Sequence, residues 1–254
     1  MDNNLKLKQS NNLILATHRM NVNQMRIFFY VCSHYQGDLN VSLNFDDINR
    51  ILNPNRGTVQ KETLLSNIDT MMSNAFIDLK LNDEDDEYCK APVFILARKK
   101  KNSKNMDFEF NPHVAKELEE LRGYTWMYLS NLTGMSSTYS VRLYEFFAMR
   151  LGSQKKKDKF IFEIKKLRLY LNCTDKYSLF KNFEAKVLKQ AEKEINSKTN
   201  VSMSYQKIKQ GRSISSIEFT FEWKSHKKNE DIIENSIDYE EMDQLLNELK
   251  EGRL

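Results

Sequence analysis

A chain of 254 residues, of which 40% are hydrophobic and 29% are charged, is long enough to bury the cores of two ordinary domains. No apolar run approaches the ~20 residues of a membrane-spanning helix, the first residues lack the apolar core of a secretory signal, and three scattered cysteines exclude a disulfide framework. We therefore expect a cytoplasmic protein without a membrane partner.

The formal net charge of +4 is distributed unevenly. Residues 1–150 contain 18 Lys and Arg against 18 Asp and Glu, residues 151–228 contain 19 against 8, and residues 229–254 contain 2 against 9. The middle segment therefore carries +11, as expected of a surface that binds phosphates, and the last segment carries −7.

The first half of the chain predicts helices followed by strands. Residues 10–36 predict a short helix and a long core helix, and Asn44 can cap a short helix up to Leu52. The composition of residues 53–57 predicts a turn, after which Thr58 can cap a third helix whose outer face is nearly uncharged. Strand-like runs follow at 76–81 and 93–98, and we expect them to form a hairpin with the acidic residues 83–87 at its tip. A third strand is expected at 106–110, after a basic loop.

After Asn111-Pro112 a similar order begins again. We expect helices at 113–122 and 124–132, a helix capped by Ser137, a strand at 160–164, a short helix at 165–172, a turn, and a long helix with a hairpin. The repeated order of long helix, short helix, turn, helix and hairpin predicts an α+β fold, mainly helical, with two tandem winged helix-turn-helix domains. We assign residues 1–112 and 113–228 to the two domains and 229–254 to an acidic tail.

The long helix of the second half has two different faces. Apolar residues from Phe180 to Ile195 fall on one side of a helical wheel, and lysines and small polar residues fall on the other. We expect the second face to lie in a major groove of DNA, with Asn182 and Lys186 as the best candidates for contacts to base edges. The predicted base-reading residues are Ser178, Asn182, Ala185, Lys186 and Lys189.

The hairpin that follows predicts a wing. Residues 201–205 and 217–223 alternate between apolar and polar, and their connection, 206–212, holds a glycine and three cations, which suits a loop along a phosphate backbone. The predicted phosphate contacts are Lys181, Lys193, Lys207, Lys209 and Arg212. The alternative interpretation is a surface helix whose lysines are only solvated; DNA is favoured because the cationic helix and the cationic wing follow one another directly.

The sequence gives little support to an enzyme. No glycine begins a P-loop motif, and no His-x-His pair is present to hold the metal of a nicking enzyme. Tyr139 and Tyr144 are interpreted as packing residues of a helix. We therefore expect no catalytic residues, no metal and no cofactor.

Three motifs together resemble the iteron-binding plasmid replication initiators, the Rep proteins with two tandem winged helices. The motifs lie at residues 9–14, at residues 136–145 and between Phe180 and Arg212. The resemblance implies that the second winged helix reads repeated origin sequences, whereas the first supplies a dimer interface or lies against adjacent DNA. It also implies that monomers start replication, that dimers repress the initiator's own promoter or restrain copy number, and that host replication proteins are possible partners.

Two other classes remain open at this point. A winged-helix transcription regulator would share the fold and the basic helix, and tandem repeats beside the gene would distinguish an initiator from it. A role purely in protein interaction would not account for a segment with a charge of +11. The tail from Ile232 to Leu254 predicts a packed terminal helix or, alternatively, a docking peptide.

Overall fold

The structure, a computed structural model, describes residues 5–52, 61–79, 89–119 and 123–224. The turn predicted at 53–57, the cap at Thr58, the acidic run at 83–87 and the tail from 229 lie outside the described residues.

The elements of the first half begin with a strand close to the N-terminus. In chain order they are β1 (Lys6–Ser10), α1 (Asn11–Leu15), β2 (Thr17–His18), α2 (Val22–Cys32), β3 (Asn40–Asn44), α3 (Phe45–Leu52), α4 (Lys61–Asn74), β4 (Phe76–Leu79), β5 (Cys89–Pro92), β6 (Phe94–Lys99), β7 (Asn105–Phe110) and α5 (Pro112–Glu119).

The second half contains one long helix of mixed type. Its elements are β8 (Tyr124–Tyr128), α6 (Leu129–Thr133), α7 (Thr138–Leu151), β9 (Lys157–Glu163), α8 (Ile164–Tyr170), α9 (Phe180–Phe183), a π-helical turn (Glu184–Leu188), α10 (Lys189–Lys198), β10 (Val201–Gln210) and β11 (Ser213–Trp223). Because α9, the π-helical turn and α10 follow without a break, they are called the 180–198 helix below.

Helix α7 lies at the centre of the molecule. Ser137 caps it, and every residue from Ser140 to Leu151 is buried. Within it, Arg142 donates a hydrogen bond to the Ala16 carbonyl at 2.8 Å and lies 3.5 Å from the Glu145 carboxylate. Burial outweighs the attraction of Arg142 and raises the pKa of Glu145 to about 7. Much of the motif at 136–145 therefore forms the contact between the two halves of the chain.

The two halves share one arrangement of strands around their helices. In the second half, β9 precedes α8, the 180–198 helix follows, and the sheet order is β10–β11–β9. In the first half, β3 precedes α3, α4 follows, and the sheet order is β3–β7–β6. The β6–β7 hairpin is thus the wing of the first half, and the small sheet β2–β4–β5 is an addition to it. The predicted duplication of a winged helix-turn-helix is confirmed.

Two details of the predicted first half and linker are wrong. The predicted hairpin between 76–81 and 93–98 does not form, because β4 pairs with β5 and β6 pairs with β7. The sequence CKAP of β5 gave no strand signal, since only Ala91 in it is fully buried. The helix predicted at 124–132 begins at Leu129 instead; the aromatic and β-branched residues before it form β8, which pairs with β1.

Contacts cross the predicted domain boundary at residue 112. Strand β1 pairs with β8 along all five residues of each strand. Arg26 of α2 donates to the carbonyls of Thr133 at 3.0 Å and Met135 at 2.9 Å. A fragment that ends at residue 112 would therefore lose the partner of its first strand.

Candidate nucleic-acid interface

The turn before the 180–198 helix is held by an arginine of α8. The Arg168 guanidinium donates to the carbonyl oxygens of Lys176 at 2.6 Å and Tyr177 at 2.7 Å, and it lies 4.4 Å from the centre of the Phe183 ring. Tyr177 has a φ of 54°, in the left-handed region that only a well-supported turn maintains. Arg168 thus fixes the angle at which the helix begins.

A buried carboxylate joins the 180–198 helix to α7. Glu194, whose side chain is 3% exposed, accepts hydrogen bonds from the backbone N–H groups of Ser136 at 3.0 Å and Ser137 at 3.1 Å, and from the Ser136 hydroxyl. The Lys198 ammonium lies 3.2 Å away. Burial opposes ionisation of Glu194, but these hydrogen bonds hold its pKa below the usual value. The carboxylate satisfies backbone donors at the start of α7 and fixes the helix against it.

The end of the same helix is tied to the wing. Asn196 pairs with the backbone of Met203, donating at 2.8 Å and accepting at 2.7 Å. The Lys224 ammonium donates to the carbonyls of Asn196 at 2.6 Å and Thr199 at 2.7 Å, where the helix dipole favours a cation. Helix and hairpin therefore form one rigid unit.

The outer face of the 180–198 helix has the predicted character. Its inner residues Phe183, Val187, Leu188, Ala191 and Ile195 are completely buried. The predicted reading residues of the helix and its predicted phosphate contacts are all exposed, namely Asn182, Ala185, Lys186, Lys189, Lys181 and Lys193. Ser178 is exposed too, but it precedes the helix. The contact of each of these side chains with DNA stays a prediction.

The lysines of this face are available to an anion. Within the described parts of the chain, no ion pair of 4.0 Å or less involves Lys181, Lys186, Lys189 or Lys193. By contrast, Lys157, Lys159 and Lys166 of β9 and α8 each lie within 4.0 Å of a glutamate.

A π-helical turn interrupts the reading face. The Lys189 N–H donates to the Glu184 carbonyl five residues earlier, which widens the helix around Ala185 and Lys186. Turns of this type are frequent at functional sites. No proline or glycine lies in this part of the sequence to indicate the π-helical turn, and helical periodicity does not indicate the turn either.

The turn of the wing is shorter than predicted. Strand β10 continues to Gln210, so Lys207 and Lys209 lie on a strand and only Gly211 and Arg212 form the turn. Gly211 has a φ of 62°, which a two-residue hairpin of the II′ class requires at this position. Strand pairing, with one register shift between Ile208 and Lys209, extends further than the alternation of apolar residues, which had placed these cations in a loop.

One predicted phosphate contact already has a partner. The Lys207 ammonium lies 3.0 Å from the Glu184 carboxylate, which also accepts from the Tyr205 hydroxyl at 3.3 Å. The hydrogen bond from Lys207 lowers the pKa of Glu184. Lys207 therefore braces the wing against the helix, whereas Lys209 and Arg212 are exposed and, among the described residues, have no ion pair.

Two features of this surface were not assigned from the sequence. Leu179, directly before the 180–198 helix, is 67% exposed, and an apolar residue beside polar ones is hard to interpret without coordinates. The first wing also ends in a cationic loop, in which Lys100, Lys101 and Lys104 are exposed. The basic loop was visible in the sequence, but the wrong strand pairing hid its equivalence to the second wing.

Other kinds of site find no support in the described ranges. No helix there is long and apolar enough to cross a membrane. No group of three or more His, Cys, Asp or Glu side chains is placed to hold a metal ion in the part of the chain that the structure describes.

Two solved structures are similar to this chain. The crystal structure of Pi initiator protein in complex with iteron DNA has a TM-score of 0.69 at 16% identity, covering 88% of this chain and 99% of that chain. The structure of domains 2 and 3 of RctB has a TM-score of 0.48 at 12% identity, covering 81% of this chain and 82% of that chain. No curated protein sequence matches the chain.

The family models cover most of the chain. The model described as initiator replication protein, WH1, matches residues 6–148, and the model described as initiator Rep protein, WH2, matches residues 163–221. Together with the tandem winged helices, these matches show that the chain belongs to the family of initiator replication proteins.

Proposed function

We propose that this protein is a plasmid replication initiator that binds repeated origin sequences, or iterons, and acts by binding rather than by catalysis. The observation that carries the proposal is the exposed face of the 180–198 helix, where four lysines without ion pairs among the described residues surround Asn182 and Ala185. Family membership supports the role in initiation, and the Pi initiator protein with its iteron DNA supports the choice of ligand.

In this proposal each element has its own part in DNA binding. The 180–198 helix enters a major groove, where Asn182 can bind an adenine edge and Lys186 a guanine edge. Lys181, Lys193, Lys209 and Arg212 contact phosphates on either side, and Lys207 holds the wing in place through Glu184. The cationic loop of the first wing adds phosphate contacts on adjacent DNA. Glu194 and Arg168 keep the helix rigid, so that little ordering is needed on binding.

Self-association through the first half is part of the proposal. Strand β6 is an edge of the β3–β7–β6 sheet, and its Ile95 side chain is 48% exposed. Among the described residues β6 has β7 as its single strand partner, and an exposed apolar residue on such an edge suits a contact between copies. A dimer formed in this way would repress the initiator's own promoter, and host replication proteins would join the monomer at the origin. Sedimentation of the full chain and of Ile95→Lys tests the contact: a monomeric wild type would contradict it.

The experiment that tests the main proposal uses the DNA that flanks the gene. Footprinting with the full chain should protect direct repeats spaced by about two helical turns. A plasmid that carries those repeats should replicate with the wild-type protein and fail with N182A/K186A, whereas S66A/T70A on α4 serves as the matched control. Protection of a single palindrome, with no replication, would instead indicate a transcription regulator.

A further inference from the structure

The ribbon formed by β1 and β8 has one face that the winged helices do not use. In both strands alternate residues are buried, which leaves Lys6 and Lys8 of β1 on the outer face with Tyr124, Trp126 and Tyr128 of β8. These five side chains are partly exposed. Neither strand contains an acidic residue.

Cations and rings alternate closely on this face. The Lys6 ammonium lies 5.2 Å from the centre of the Tyr128 ring, and the Lys8 ammonium lies 4.9 Å from that of Tyr124. Tyr124 and Trp126 are edge to face, with ring centres 6.4 Å apart. Trp126 and Tyr128 also line a small cleft together with Trp223. Three rings in a row on β8, with two cations beside them on β1, are the composition of a surface that stacks bases and attracts phosphates.

We propose that the β1–β8 ribbon binds single-stranded DNA. Alternate residues of a strand are about 6.6 Å apart, roughly twice the rise between stacked bases, so only an unstacked single strand can place successive bases on successive rings. The rings are half-buried and project too little from the ribbon to reach bases inside a duplex. Lys6 and Lys8 supply the electrostatic attraction, and the rings supply contacts that tolerate any base.

The ribbon lies well away from the tip of the wing. Trp223 pairs with Val201 at one end of the β10–β11 hairpin, and the Gly211 turn is at the other end. Ten residues of strand separate the ends by about 30 Å. The protein can therefore hold a duplex repeat and an opened strand at the same time, which goes beyond the proposed recognition of repeats.

Intrinsic fluorescence tests the proposal directly, because the chain has two tryptophans and both, Trp126 and Trp223, line the cleft of the ribbon. Oligothymidylate, which cannot pair with itself, is titrated into the full chain. We expect saturable quenching of the tryptophan emission and binding that tightens as salt is lowered.

Variants separate the ribbon from the rest of the surface. K6A/K8A should reduce the slope of log K against log salt by about 1.4, the value for two phosphate contacts to a single strand. Trp126→Leu keeps apolar bulk but removes the stacking surface, and it should weaken oligothymidylate binding about 5- to 100-fold. K61A/K116A removes the same charge from exposed positions elsewhere and should have no comparable effect.

Binding to duplex repeats is measured in parallel and should be unchanged in the ribbon variants, which separates failure of this proposal from failure of the proposed function. The proposal is overturned if oligothymidylate binds the ribbon variants as tightly as the wild type, or if K186A/K189A abolishes its binding. It is also overturned if the tryptophans respond to a peptide of residues 229–254 and not to oligothymidylate.

Discussion

The third helices of the two winged helices occupy equivalent places and present different chemistry. Helix α4 carries Lys61 against Glu62 and Asp69, whereas the 180–198 helix carries five lysines against three glutamates. The polar side chains of α4 are turned to their own backbone: the Thr70 hydroxyl donates to the Ser66 carbonyl at 2.8 Å, and the Asn67 amide donates to the Thr63 carbonyl at 2.8 Å.

The difference teaches that the fold constrains the inner face of such a helix and leaves the outer face open. Both helices bury an apolar stripe, Leu64, Ile68 and Met71 in one and Val187, Ala191 and Ile195 in the other. The two wings do not differ in charge as the two helices do, because both wings end in exposed cations. The first half is therefore suited to phosphate contacts through its wing alone, and the second half to phosphate contacts and base reading.

Loss of the reading side chains should have the largest effect. Asn182→Ala and Lys186→Ala each remove a contact worth ~1–3 kcal/mol, so the double variant should lose about 30-fold or more of its preference for a repeat over a scrambled duplex. Competition binding with the full chain measures this preference. S66A/T70A should keep it, and equal losses in both variants would show that the two helices read DNA alike.

Removal of the Glu194 carboxylate, which holds the 180–198 helix, should have the second-largest effect. Glu194→Gln leaves the backbone donors of Ser136 and Ser137 with a weaker acceptor and should lower the free energy of unfolding by about 1–3 kcal/mol at neutral pH. Because the folded-state pKa of Glu194 is depressed, its stabilisation is present above the unfolded-state pKa and is lost as pH falls through the folded-state pKa. Urea denaturation at neutral pH and in acid should show the difference from wild type shrinking in acid; a constant difference would argue against an ionised anchor.

The phosphate contacts should appear in the salt dependence. K181A/K193A removes two exposed cations that are predicted to contact phosphates, and it should make the slope of log K against log salt less steep by about 1.8. Titration on a single repeat across a salt series measures the slope. An unchanged slope would mean that these lysines are solvated and do not meet phosphates.

The first wing should contribute less. K100A/K101A should reduce the slope by about 0.9, equivalent to one contact, because no cationic helix lies beside this loop to align it with a groove. The same salt series, on a duplex that extends beyond the repeat, measures it. A reduction as large as that of K181A/K193A would make the two halves equal partners in phosphate binding.

The smallest effect should come from the exposed leucine. Leu179 precedes the reading helix, where an apolar side chain can contact the methyl group of thymine. Leu179→Ala should weaken binding about three- to fivefold on a thymine-containing repeat. Replacing each thymine by deoxyuridine should remove the difference between the two proteins, and a difference that persists on uracil would assign Leu179 to packing.

Prediction from sequence worked where one surface of an element is buried. Helical periodicity placed Phe183, Val187 and Ile195 inside and the lysines outside, as the structure shows. Strand pairing was harder to predict, because β5 and β8 are short and their partners are defined by contacts distant in sequence.

The distribution of charge along the sequence also does not show which cations have a carboxylate partner. Lys207 and Lys209 are two residues apart and equally basic, yet only Lys207 meets a carboxylate across the helix–wing contact. That distinction depends on where Glu184 lies in three dimensions. The π-helical turn was equally invisible, since it leaves the order of apolar and polar residues intact.

The pairing of β1 with β8 has a consequence for synthesis of the protein. Ser10 pairs with Tyr124, so the first strand is made 114 residues before its partner. At about 5–20 residues per second, a ribosome needs roughly 6–23 s to make that length. During this interval the nascent chain carries an unpaired edge, and its N-terminal winged helix is incomplete. A chain released early, before Tyr128, would lack the ribbon and the joint between the halves, so premature products should be removed by proteolysis instead of competing for DNA.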